Sequence, residues 1–256
     1  MKIREFYKKY SKFIYQSLGI VSILIIEEVV SLLVNDPLLF PGIDKIIIGL
    51  GSICSKSSFY SAFFESLLRT IVSILFSFIF AFIFGLLAGL FDKFRYFLSP
   101  IVGFFKLAPT PCVVFIIFLL TRGEANITSF VVTFLVIFPI LYESFANGIV
   151  NIDENIKLSL RVEGYCSRKS IMKVIIPCAA PYLYLGVINS VGLGVKVSIM
   201  SEILVGSDSI WGLGRLIYAY KVNADFDLMI AMTFIIVIFF IFVDIISFSF
   251  KKILKK

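Results

Sequence analysis

The chain contains no histidine among its 256 residues. That absence removes the zinc constellations built on imidazole and the Ser-His chemistry of hydrolases, since no side chain remains whose ordinary pKa sits near neutrality. Cysteine is almost as scarce. Cys54, Cys112, Cys166 and Cys178 form no CxxC pair and read as small apolar fillers. No GxxxxGK[ST] phosphate loop is present either, so any ATP hydrolysis has to come from a partner. Charge is thin as well, at 16% Asp, Glu, Lys and Arg, which is too little to solvate a chain of this size.

What fills the chain instead is apolar. Hydrophobic residues make up 59% of it, phenylalanine alone supplies 29 positions, and the mean hydropathy is +1.01. Soluble domains hold about 45–50% apolar residues, so this chain belongs in a membrane, and an all-α integral membrane fold is expected. A net charge of +7 ordinarily raises nucleic acid as a partner. Here the basic residues flank apolar runs rather than interleave with aromatics on a polar face, and that pattern excludes it.

A hydrocarbon core about 30 Å thick needs about 20 apolar helical residues. Runs of that length lie near Phe13–Val34, Leu67–Phe91, Ile101–Leu120, Ile127–Ile149, Ala179–Leu204 and Leu228–Phe250. They predict six crossings. The third holds Lys106 and the kink signal "APTP" at Ala108–Pro111. Basic residues set the orientation: Lys2 to Lys12, Lys93 with Arg95, Lys157 to Lys173 and Lys251 to Lys256 fall on one side, which the positive-inside rule makes cytoplasmic. Both termini then lie inside. No small-residue cleavage site follows the basic start, so the first span reads as an uncleaved anchor. Residues 1–60 are expected to form this anchor and an external segment, with "SKSSFYSAFFESLLR" as a surface-lying helix, and 61–256 the main membrane domain.

Between the fourth and fifth spans, residues 151–177 carry Asp153, Glu154, Lys157, Arg161, Glu163, Arg168, Lys169 and Lys173. At about 2.5–3.5 kcal/mol for each central Lys, Arg or Asp, this stretch stays out of the bilayer. Asp153 is placed to cap a first helix, Gly164 to end it in a left-handed conformation, and Ser167 to cap a second. That second helix sets Ile171, Val174 and Ile175 on one face, and Pro177 marks the return to the membrane. A solvated positive-inside loop is the plain alternative.

The spacing of Gly164 and Pro177 in "GYCSRKSIMKVIIP" resembles the EAA motif, EAA-x3-G-x9-I-x-L-P, of ABC importer permeases. "ESLLRTIVSILFSFIFAFIFGLLAGLFDKFRYFLSP", "LAPTP", "PCAAPYLYLGV" and "SEILVGSDSIWGLGRLI" look like the nitrate, sulfonate and taurine branch, and the likeness runs from about Ser66 to the end. Leu158, Ser159 and Leu160 stand where the family carries E-A-A, with Glu163 and Glu154 near enough to substitute. The resemblance implies a type I importer permease fold in a bacterial inner membrane. It also implies an ABC ATPase subunit holding ATP and magnesium, an external substrate-binding protein and a second copy of the chain. By the same resemblance, Glu163, Gly164, Ser167, Arg168, Ile171, Val174 and Pro177 belong to the element that couples to the ATPase. No cofactor is expected on this chain, and the solute is a small anion of the nitrate, sulfonate or taurine kind, or a pyrimidine vitamin precursor.

Three charged residues are candidates for the translocation path or gate: Lys196, Glu202 and Lys106. Lys196 either lines the path and attracts an anion or pairs with Glu202, Glu27 or Glu28, and intramembrane charges commonly pair. Glu202 resembles a glutamate that the family carries near the outer end of this helix. Arg69 and Glu143 read as residues snorkelling at the interface. Glycines at Gly85, Gly89, Gly186, Gly192 and Gly194 permit close helix contact, within the chain or between copies. An intramembrane enzyme is set aside by the missing histidine. An ion-coupled secondary transporter is the remaining alternative, against which the two halves show no self-similarity.

Overall fold

In the computed structural model, the described residues are 15, 18, 19, 22, 25–34, 36, 40–165, 167–206 and 210–254, without the side chains of 161–163 and 247–254. Every regular element among them is helical: α1 Ile43–Cys54, α2 Ser57–Leu90, α3 Asp92–Leu107, α4 Thr110–Leu120, α5 Ala125–Val150, α6 Glu154–Glu163, α7 Arg168–Val205, α8 Leu213–Val222 and α9 Phe226–Leu254. Four are long and apolar enough to cross a bilayer (α2, α5, α7 and, within α9, Phe226–Ile246), and five if the bent pair α3 and α4 makes one crossing. Of the first predicted span, residues 25–34 are described and helical, while most of 13–24 lies outside the described residues.

The chain forms two compact units: residues up to Ser57 with Ala219–Ile236, and Ser58–Tyr218 with Val237–Lys256. In the first unit the Glu28 carboxylate accepts the Ile43 N–H at 3.1 Å and so supplies the N-terminal cap of α1. Gly49 of α1 faces Ala231 of α9.

The second unit is built on a stripe of small residues. Along α2, Ala62, Ser66, Ser73, Ser77, Ala81, Gly85 and Ala88 are buried, while Phe64, Leu68, Leu75, Phe76 and Ile79 point outward. This inversion is what a bilayer asks for, because lipid is as apolar as leucine and close backbone approach has to hold the helices together. The contacts with α5 follow the same order along both helices. Arg69 bonds Asn126, Ser73 Oγ bonds the Phe130 carbonyl at 3.2 Å, Ser77 Oγ bonds the Phe134 carbonyl at 3.2 Å, and Gly85 and Gly89 meet Phe145 and Ile149. Sequence order rises together on both helices, so α2 and α5 run parallel. The chain must therefore be carried back along the bundle between them, and α3 with α4 does this. The glycines serve contacts within the chain at Gly85, Gly89, Gly186 (against Ser144) and Gly194 (against Ile137).

Three expectations need correction. The third span, Ile101–Leu120, is not one helix: α3 and α4 meet at 104°. Ala108 precedes Pro109 and is extended, because the proline ring disfavours the helical region for its predecessor, and Pro111 then sits in the first turn of α4, where a missing N–H costs nothing. The segment expected to lie on the surface, "SKSSFYSAFFESLLR", is continuous with the spanning helix α2, whose 34 residues reach about 51 Å at 1.5 Å each. Lastly, the second helix of the turn, expected as a separate element ahead of the return to the membrane at Pro177, is continuous with the fifth span in α7. A π-helical turn at Ile171–Ile175, in which the Ile176 N–H bonds the Ile171 carbonyl, loosens the coil just ahead of Pro177 and lets α7 run through.

Candidate functional site

The polar turn between α5 and α7 follows the expected capping chemistry. Asp153 Oδ1 accepts the Asn155 N–H at 2.8 Å and starts α6. Gly164 ends it at φ +95°, a conformation that a Cβ strains, and Ser167 Oγ accepts the Ser170 N–H at 3.1 Å to start α7. The Ser170 hydroxyl donates to the Gly164 carbonyl at 3.0 Å and ties the two caps together. Beneath the turn, Ile152, Leu160 and Ile175 are buried against Phe145, Ile149, Ala179 and Leu183, with Tyr165, Ile171 and Val174 packed on this cluster. Ile171 and Val174 thus spend much of their apolar face on the chain's own core. The outward face carries Ile156, Leu158 and Met172, all exposed, beside exposed Arg168, Lys169 and Lys173. Pro177 sits in the first turn after the π segment. The side chain of Glu163 lies outside the described ones.

At the opposite end of the bundle, Glu202 has no solvent exposure and is surrounded by donors. Arg69 Nη1 of α2 donates to its Oε1, Ser66 Oγ donates to both carboxylate oxygens at 2.9 and 2.8 Å, and the Gly214 N–H donates to Oε2 at 2.9 Å. Ser66 Oγ also accepts the Leu213 N–H at 2.9 Å, while Arg69 Nη2 reaches Asn126 Oδ1 at 2.8 Å and the Trp211 carbonyl at 3.0 Å. This network pins residues 211–214 onto the ends of α2, α5 and α7. Arg69 is not an interfacial snorkelling residue: it is 9% exposed and supplies the ion pair for Glu202. Pairing of Glu202 with Lys196 is excluded by the same geometry. Lys196 is exposed instead, its Nζ 5.5 Å from the centroid of the Phe240 ring.

Lys106 finds a partner that the sequence reading left as a snorkelling residue. Its Nζ lies 2.7 Å from Glu143 Oε2 and 2.9 Å from Oε1, joining the end of α3 to α5, and both side chains are part-exposed. They border a cleft of about 410 Å³ lined also by Arg95, Ser99, Tyr142 and Asn147, with Arg95 Nη2 donating to Asn147 Oδ1 at 3.0 Å. The structure thus groups Gly164, Ser167, Arg168, Ile171, Val174 and Pro177 at one turn and sets Lys106, Lys196 and Glu202 in three separate surroundings. Arg69, Glu143 and Arg95 are the partners that sequence reasoning missed. Their signal was depth: Arg69 and Glu202 lie equally near one end of their spans, Lys106 and Glu143 near the other. Among the described residues, no group of three or more His, Cys, Asp or Glu is placed to hold a metal ion.

Comparison with known proteins fits this arrangement. Residues 47–256 match the family described as "Binding-protein-dependent transport system inner membrane component". The "Bicarbonate transport system permease protein CmpB" of Synechococcus elongatus is 32% identical over 107 residues, which cover 41% of this chain and 37% of that protein. The CmpB protein of a second Synechococcus strain matches equally. The chain therefore spans little more than a third of the length of the curated relatives it matches. Among solved structures, an inward-facing MetNI methionine ABC transporter superposes with a TM-score of 0.65 at 19% identity, covering 78% of this chain and 97% of that one. An amino acid ABC transporter with histidines gives 0.65 at 15%, covering 79% and 97%. The likeness in fold to ABC importer permeases, together with a family match that runs through the turn at Gly164 and the Glu202 network, establishes that the chain belongs to the binding-protein-dependent transport system inner membrane component family.

Proposed function

We propose that this chain is the permease subunit of an ATP-driven importer in a bacterial inner membrane, and that residues 151–177 seat on a separate ATPase subunit on the cytoplasmic side. The observation that carries the reading is the doubly capped turn. A rigid element rooted in the core through Leu160, Ile171, Val174 and Ile175 presents Ile156, Leu158 and Met172 outward, ringed by Arg168, Lys169 and Lys173. An apolar patch with a charged rim on a rooted element suits docking of a partner, and displacement of such an element moves α7 as a whole. Leu158 stands where the family's glutamate belongs, so docking here relies on apolar contact at that point. Arg168 supplies charge, while Gly164, Ser167 and Pro177 shape the turn; Glu163 is the acidic candidate beside it.

The working assembly contains two permease subunits, here two copies of this chain, two ATPases that bind ATP and magnesium, and an external binding protein that delivers the solute. The solute is a small anion. Support comes from the bicarbonate system named for the CmpB relatives and from Lys106 and Lys196 at membrane depth, with Lys196 on the path and Glu202 fixing the outer gate. The test is reconstitution into proteoliposomes with ATPase and binding protein. Uptake is expected to require all three and ATP, and Leu158→Asp and Met172→Asp should lose ATPase co-purification while keeping the melting temperature of the permease. Uptake driven by an ion gradient without any ATPase would make the chain a secondary transporter.

A further inference from the structure

We propose that the cleft between α3 and α5 is a binding site for a small oxyanion, with Arg95 and Ser99 as the groups that hold it and the Lys106–Glu143 pair as the element that sets its strength. This rests on the permease reading and goes beyond it by naming the residues and the ligand chemistry. The cleft, about 410 Å³, is lined by two cations, Arg95 and Lys106, and one anion, Glu143, so it carries one surplus positive charge. Charged side chains left part-exposed along membrane helices do not face lipid, because each costs too much there; they face water or a path. Arg95 is held by Asn147 Oδ1 through one guanidinium nitrogen. A guanidinium offers five donors in a planar fork, so this arrangement leaves donors for a two-oxygen contact with a carboxylate, nitrate or sulfonate group. The exposed hydroxyl of Ser99, one turn along α3 from Arg95, adds a neutral donor on the same lining. Glu143 opposes an anion, and Lys106 at 2.7 Å offsets that opposition. The site therefore binds weakly and releases readily, as a path requires. Its volume far exceeds a three-oxygen ion, which accordingly keeps part of its water shell.

The experiment uses the full chain in lipid nanodiscs, titrated with 15N-nitrate, 13C-bicarbonate and methanesulfonate while ligand line broadening is followed. Saturable binding of at least one probe is expected. Arg95→Gln should weaken it about tenfold or more, the loss expected for one charge-assisted contact. Lys106→Met should weaken it too by exposing the Glu143 charge, whereas Glu143→Gln should tighten it roughly threefold or more. Opposite signs from the two members of one ion pair are something a merely structural pair would not give, and a gain of affinity cannot come from a misfolded variant. Binding that is unsaturable, or unmoved by Arg95→Gln and Glu143→Gln, overturns the site. ATP-driven uptake by the reconstituted wild-type assembly is measured in parallel. If uptake proceeds and is unchanged in Arg95→Gln, the site fails while the permease reading stands; if none of the probes nor any other solute is taken up with ATP, it is the permease reading that fails.

Discussion

Glu202 shows what single residues do in this protein. A carboxylate without solvent exposure is tolerated because Arg69, Ser66 and the Gly214 N–H all donate to it. A buried ion pair of this kind adds little net stability, since desolvation offsets the attraction, but losing one member leaves the other unpaired. Glu202→Ala and Arg69→Ala are therefore each expected to cost about 3–5 kcal/mol, read as unfolding free energy in mixed micelles, with the double variant Arg69→Met/Glu202→Met recovering most of the loss. The glycines beside the network are equally constrained. A Cβ on Gly214 would stand 2.5 Å from both the Ile199 carbonyl oxygen and Glu202 Cβ, one of them main chain that cannot step aside. Gly214→Ala should cost about 1–3 kcal/mol, the usual penalty of overpacking, while Gly51→Ala in helix α1, with nothing within 4 Å, should be neutral or stabilising by about 0.5–1 kcal/mol. Thermal melts of the two variants side by side check this.

Elements were legible in the sequence where the signal is local and illegible where it is not. The turn at 151–167 could be read because caps depend on one residue and its neighbours: Asp153, Gly164 and Ser167 all act as their types dictate. Disturbing it gives a graded outcome. Ser167→Ala should cost about 1 kcal/mol of cap energy, and Gly164→Val about 1–3 kcal/mol of backbone strain at φ +95°. Both should lower ATPase co-purification more than they lower the melting temperature of the membrane bundle, because the turn is rooted through one cluster at its end. Apolar length likewise announced α2, α5, α7 and α9. The π turn at Ile171–Ile175 had no such announcement, since it is a compromise between Pro177 and the packing of Ile175 under Leu160. Neither did the 104° bend, for "APTP" signals a break without its angle. Partners of charges were hidden for a different reason. Arg69 and Glu202 are 133 residues apart and Lys106 and Glu143 are 37 apart, so only depth in the membrane links them, and composition does not register depth.

For the molecule as a whole, the parallel register of α2 and α5 decides how the bent pair is used. Two parallel helices in one chain need a return between them, and the contacts Arg69–Asn126, Ser73–Phe130, Ser77–Phe134 and Gly89–Ile149 leave no antiparallel alternative. Arg95 beside Asn147 gives the same answer from the other end, because the start of α3 and the close of α5 then share a level. If α3 and α4 instead dipped into the membrane and came back, Lys93 and Arg95 would lie on the side opposite Lys157, Lys169 and Lys173, against the tendency of basic segments to stay in the cytoplasm. The prediction is a pattern of labelling in a background where Cys54, Cys112, Cys166 and Cys178 are replaced. Cysteines introduced by Lys56→Cys, just before α2, and Glu124→Cys, just before α5, should react with an impermeant maleimide from outside intact cells, and Lys169→Cys should react only in inside-out vesicles. All three positions are exposed in the structure, so accessibility of the side chain itself is not limiting. Reaction of the Lys56 and Lys169 variants from the same side would mean that an even number of crossings separates them. That outcome would turn the bent pair into a re-entrant element, and with it the turn at Gly164 would lose the cytoplasmic side that the proposed docking to an ATPase requires.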